Sequence, residues 1–204
     1  MKNYKHLIGL ILALIWTGRV MAIEEPKYEV LRSDGPYEIR QYAPILIAET
    51  LVEGDMDEAS NKGFRRIADF IFGNNQAADS VPQAKIAMTA PVTVEPLNYV
   101  QNMQSAEQWR INFVMPSQYT LASIPKPKNS AVILSEVPSK RFVVLKYSGF
   151  NTASRVQSKA QETISWINNN NLKAIGTPQL SRYDPPWTLP MFRRNEIMIE
   201  ISSP

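Results

Sequence analysis

Asp55-Met56-Asp57-Glu58-Ala59-Ser60-Asn61-Lys62-Gly63-Phe64-Arg65-Arg66-Ile67-Ala68-Asp69-Phe70-Ile71-Phe72 is the stretch whose reading decides the fold. Met56, Ala59, Gly63, Phe64, Ile67, Phe70 and Ile71 recur at three-to-four spacing, which lays one apolar stripe along a helix. Asp55 is a good N-cap, and Glu58 three residues on completes a capping-box pattern. Gly73-Asn74-Asn75 ends the helix. A single amphipathic helix must bury its stripe against something, and the flanking sequence supplies strands.

On the N-terminal side, Tyr37 to Tyr42 alternates, and Ile45 to Thr50 follows a break at Pro44. On the C-terminal side, Lys85 to Val94 reads as a strand interrupted by Pro91, and Trp109 to Met115 alternates cleanly. The order then repeats. Ala131 to Glu136 and Arg141 to Tyr147 form a strand pair, and Thr152 to Asn169 reads as a helix with Val156, Ala160, Ile164 and Ile167 inward. Pro178 to Tyr183 and Glu196 to Ile201 follow as the last strands. Side-chain identities do not repeat, so only the pattern is doubled. The expected fold class is α+β: a distorted antiparallel β-barrel of about eight strands with two packed helices, built from two strand–strand–helix–strand–strand halves.

Residues 1–22 lie outside this pattern. Lys2 and Lys5 precede an apolar run from Leu7 to Trp16, and Val20-Met21-Ala22 offers small residues for a cut after Ala22. That is the layout of a secretory signal peptide, and the apolar run is shorter than the roughly 20 residues of a spanning helix. The expected product is an exported domain over 23–204, periplasmic or secreted, with no stable membrane anchor and no sign of more than a monomer. Of the 22 Lys and Arg, Lys2, Lys5 and Arg19 fall in the leader, which holds no acid, so the remainder carries as many bases as its 19 acids. Such a balance carries no nucleic-acid footprint.

The one histidine, His6, also lies in the leader, and the chain has no cysteine. Residues 23–204 therefore lack the usual ligands of zinc, copper and iron–sulfur centres, and the commonest axial ligands of haem. They hold neither a Ser-His-Asp nor a Cys-His relay, no phosphate loop and no metal-ligand spacing. The acids Asp55, Asp57 and Glu58 suit a helix start for dipole reasons alone. A binding protein rather than an enzyme is expected.

Four ordered blocks resemble the SOUL haem-binding family: Tyr37-Glu38-Ile39-Arg40-Gln41-Tyr42, Lys85-Ile86-Ala87-Met88-Thr89-Ala90-Pro91-Val92, Tyr147-Ser148-Gly149-Phe150, and Tyr183-Asp184-Pro185-Pro186-Trp187 with Arg193-Arg194-Asn195-Glu196-Ile197. The resemblance implies non-covalent binding of haem or free porphyrin against the first helix and the loop before the last strand. Carried onto this chain, the cofactor-binding positions are Asn61, Phe64, Arg65 and Ala68 on the helix, with Trp187 and Met191 on the loop. Phe64 and Trp187 would supply flat apolar area, and Arg65 would pair with a propionate. The plainer readings stand beside these. Phe64 packs in the core, Arg65 joins Lys62 and Arg66 on a solvated face, and Trp187 closes one end of the barrel. Met88 and Thr89 hold a bend. Without imidazole, Met191, or a tyrosine such as Tyr183, is available as a weak axial donor.

The doubled pattern also resembles the GyrI-like effector-binding domains, which take lipophilic or cationic small molecules in a cleft. In that reading Glu196 is the cleft acid. In the plainer one it pairs with Arg193, Arg194 or Arg40.

Overall fold

A computed structural model describes residues 23–77, 84–98, 103 and 106–202. The expected leader, 1–22, lies outside the described residues. The decisive helix forms as α1, Met56–Ile71, with Asp55 at its N-cap accepting from the amides of Asp57 and Glu58. The Glu58 carboxylate pairs through one oxygen with Lys62 at 2.6 Å, while its other oxygen lies back beside Gly54. The second helix, α2, spans Ala153–Asn169 behind an N-cap at Thr152.

The strands are β1 (Tyr28–Asp34), β2 (Tyr37–Tyr42), β3 (Ile45–Glu53), β4 (Asn75–Gln76), β5 (Val92–Pro96), β6 (Gln108–Val114), β7 (Lys126–Pro127), β8 (Ile133–Val137), β9 (Lys140–Tyr147), β10 (Gln179–Arg182) and β11 (Asn195–Glu200). Nine of them form one antiparallel sheet in the order β1-β2-β9-β11-β10-β5-β6-β3-β8, while β4 and β7 pair apart. Leaving out β1, the order reads the same from both ends once β2, β3, β5 and β6 are exchanged with β8, β9, β10 and β11. The two halves thus meet at the β10–β5 pairing, where Arg182 faces Val92 and Leu180 faces Val94. The result is a curled half-barrel with two helices, the α+β architecture expected, with one strand more in its main sheet.

Two expectations need correction. β1 was not anticipated, because six of its seven residues are exposed and carry no apolar alternation. The strand expected from Lys85 begins only at Val92; Lys85 to Met88 runs without strand pairing, and Ala90-Pro91 is a cis peptide. Thr89 Oγ1 donates to the Val114 carbonyl and Met88 packs against the core, so these residues hold a bend.

Strand parity separates two faces. Odd-numbered residues of β6, Trp109, Ile111 and Phe113, are buried with Ile67, Phe70, Val156 and Ile167 of the helices in the main core. Even-numbered Arg110, Asn112 and Val114 face the inside of the curl. Alternation of period two against a stripe of period 3.6 is what lets one sheet bury both helices on one side. Here α1 lies over β3, β5 and β6, whereas α2 lies over β9 and β11, leaving β10 beneath the seam between them. Gly63 sets the closeness of α1: a Cβ there would sit 2.6 Å from Ile111 Cγ1.

Candidate functional site

The backbone register places one row of side chains across the helix side of the sheet: Tyr147, Asn195, Arg182, Val92, Phe113 and Ala48. The α1 end of the row is closed, since Phe64 lays its ring on Phe113 with centroids 5.5 Å apart. Phe64 nevertheless keeps 41% of its surface exposed. It therefore serves the core and the surface together. Asn61 and Arg65 are exposed beside it, while Ala68 is only 6% exposed and offers almost no surface to a ligand.

At the same end of the sheet, the loop between β10 and β11 forms a lip. Polar bonds hold it from within. Arg194 N donates to Asp184 Oδ2 at 2.6 Å, and Arg193 donates to the carbonyls of Thr188 and Pro186. Gly149 N donates to Pro190 O at 2.8 Å, and the Arg193 guanidinium lies 5.6 Å from the Phe150 ring, so the lip leans on the turn before α2. Its apolar side chains face outward, Trp187 82% exposed, Phe192 70% and Met191 68%, and Phe150 on the neighbouring turn is 62% exposed. Trp187 does not close the barrel. Several large apolar side chains exposed on one short loop are a mark of a binding site.

Sequence reasoning missed the polar centre of the row. Arg182 Nη1 donates to Ser60 Oγ of α1 at 3.0 Å, while its Nε is buried and makes no hydrogen bond. Nη2 stands 3.7 Å from Asp57 Oδ1, an ion-pair distance rather than a hydrogen bond. Burial lowers the pKa of this guanidinium below its usual value, opposed by Asp57. The available signal was parity: Arg182 follows Leu180 at two residues, on the side where a core residue belongs.

Glu196 presents the opposite case on the inner face. It is fully buried and accepts four hydrogen bonds: from Arg40 Nη1 and Nη2 at 2.9 and 3.0 Å, from Tyr183 OH at 2.7 Å, and from Arg194 Nε at 3.1 Å. Arg40 is itself completed by Glu38 and the Tyr42 hydroxyl, with the Tyr28 ring 4.3 Å from its guanidinium carbon. Glu196 is therefore no open cleft acid. Tyr183 is likewise committed: burial and then Glu196 push its hydroxyl pKa far up, so the reading of it as an axial donor is corrected. Met191, at the exposed lip, keeps its thioether free of the core.

The inner face holds a cavity of about 320 Å³, lined by Tyr42, Ile47, Glu49, Glu95, Arg110 and Phe142 among others. Arg110 lies between two acids, 3.0 Å from Glu49 and 2.6 Å from Glu95. Burial raises the Glu95 pKa, and Arg110 offsets this only in part. Among the described residues, no cluster of His, Cys, Asp or Glu suited to a metal ion is found.

This fold has solved relatives. The C-terminal domain of EcmrR aligns with a TM-score of 0.61 at 11% identity, over 87% of this chain and 99% of that one. A hydrolase from Listeria innocua aligns at 0.52 and 13% identity, over 84% and 94%. An uncharacterized conserved protein from the same organism aligns at 0.50 and 11%, over 89% and 94%. At these identities the likeness concerns the GyrI-like fold alone. No curated protein matches the sequence at a significant level. The family described as SOUL heme-binding protein matches residues 23–200, and those residues include both helices, the Arg182 row and the whole lip. This chain belongs to the SOUL heme-binding protein family.

Proposed function

We propose that the protein binds haem or iron-free porphyrin non-covalently at the lip and the adjoining edge of α1, without histidine ligation and without catalysing a reaction. The observation that carries this reading is the pinned lip, whose Trp187, Leu189, Met191 and Phe192 are each more than half exposed. A loop backbone already pinned before binding loses little freedom on contact, which favours affinity. A flat macrocycle offers these side chains the apolar area they lack, and Phe64 on α1 is a further partly exposed ring. Haem fits this set as a cargo held by contact. The iron brings its own ligand chemistry, and Met191 is the lip residue able to donate to it. Carrier, buffer and sensor roles share this chemistry. The leader composition supports export to the periplasm or the medium.

A visible titration tests the proposal. Haem added to the purified protein should give a shifted Soret band that saturates at one equivalent. Trp187→Ala combined with Met191→Ala should weaken binding at least tenfold, in line with the loss of a buried aromatic anchor. An unshifted band at micromolar protein rejects the reading.

The inner cavity supports a second reading, the uptake of a small lipophilic cation. Its volume sits at the lower end for small-molecule sites, and Glu95 and Glu49 share one arginine. A lipophilic cationic dye should then bind, and Glu95→Gln should release it while porphyrin binding survives.

A further inference from the structure

Arg182 occupies the seam between the helices, at the meeting of the two halves of the sheet, and its bonding is incomplete. A guanidinium offers five N–H donors in a planar fork, and the edge formed by Nε and Nη2 presents two parallel N–H bonds suited to a carboxylate. In Arg182 the opposite nitrogen, Nη1, is spent on Ser60. The Nε–Nη2 edge is the unspent one: Nε has no partner and Nη2 has only Asp57 at 3.7 Å. Asp57 is 66% exposed at its side chain and is free to swing into water, whereas the Arg182 side chain is 29% exposed.

The surrounding charge points the same way. Arg155 and Arg182 both act on the Tyr147 hydroxyl, and Arg193 repels Arg182. Arg155 and Arg193 donate to backbone carbonyls, of Ser148 and of Thr188 and Pro186. Among the described residues, Asp57 is the one carboxylate within ion-pair distance of these three cations. The surroundings of Arg182 are therefore short of negative charge. Arg65 differs: it stands exposed on α1, where a pairing is screened by water and contributes little.

Resting on the tetrapyrrole reading above, we infer that Arg182, not Arg65, receives the ligand's carboxylate through its Nε–Nη2 edge, displacing Asp57. The ligand is then an amphiphile with an aromatic body on the lip and an acid directed into the seam. Specificity between acid and neutral forms belongs to this one side chain.

Protoporphyrin IX and its dimethyl ester separate the claims, measured by tryptophan quenching on the wild-type protein, Arg182→Met and Arg65→Met. The wild type and Arg65→Met should prefer the diacid at least tenfold, about 1.4 kcal/mol. Arg182→Met should bind both forms alike, at the affinity of the ester. Lost preference in a variant that still binds the ester cannot come from misfolding. Equal binding of diacid and ester by the wild type, or a preference that survives Arg182→Met or disappears in Arg65→Met, overturns the assignment of Arg182 while leaving porphyrin binding intact. Failure of the wild type to bind either form overturns the tetrapyrrole reading and this inference with it.

Discussion

Glu196 and Arg182 lie on neighbouring strands one register step apart, since Ser181 faces Glu196 and Arg182 faces Asn195. They point to opposite faces of the sheet and have opposite fates. Glu196 receives four hydrogen bonds, and its main partner Arg40 donates four, using every one of its nitrogens. Arg182 has one hydrogen bond and a buried nitrogen with none. A closed network of buried charges ties strands together and leaves nothing for a ligand. A network left open costs stability in the free protein and is retained where something else completes it. Under the inference above, the difference separates a structural charge from one that receives a ligand, which residue type alone does not.

The largest expected effect comes from opening the closed side. Glu196→Gln leaves Arg40 buried with a neutral partner, and breaking such a pair costs about 3–5 kcal/mol. Thermal unfolding should shift down by on the order of 10 °C. A shift of less than about 2 °C would place Glu196 among the open groups. Next comes the wall of the open side. Gly63→Ala drives a methyl into Ile111 and should cost about 1–3 kcal/mol. Denaturant melts with an unchanged slope would show lost stability rather than lost compactness.

Closing the open side by substitution should cost little. Arg182→Met removes a charge that burial already disfavours, and its stability should stay within about 1 kcal/mol of wild type or rise. A loss as large as that of Glu196→Gln would make Arg182 structural. The smallest effect concerns Glu95. Its folded pKa is raised above 4.5, so the native state holds this proton more tightly than the unfolded chain does. Its contribution to stability accordingly falls as pH rises from 4.5 through the folded value. Glu95→Gln removes that slope, and its melting temperature relative to wild type should be more favourable at pH 7 than at pH 4. The reverse order would show that Arg110 outweighs burial.

These charges also mark the limit of what the chain discloses as a string. The helix α1 was legible because its cap and stripe are local, and the doubled pattern followed from strands that alternate within themselves. The lip was legible through Trp187 and Met191, although its outward orientation was not. Glu196 could be given its partners only as alternatives, because Arg40 lies 156 residues away and meets it through β9. Arg182 drew no attention because Ser60 and Asp57 reach it from the other half of the fold. β1 carries too little apolar alternation to be seen, and the strand near Pro91 was drawn too long because its β-branched residues outweighed the bend.

The central claim is that contact and charge hold the tetrapyrrole, in a domain whose residues 23–204 have neither imidazole nor thiol. The direct measurement is the ratio of dissociation constants for haem and iron-free protoporphyrin IX on the same protein. A ratio within about threefold, less than 1 kcal/mol, is predicted. A preference for haem of about a hundredfold, near 3 kcal/mol, would mean that an iron ligand governs binding, and would contradict the account.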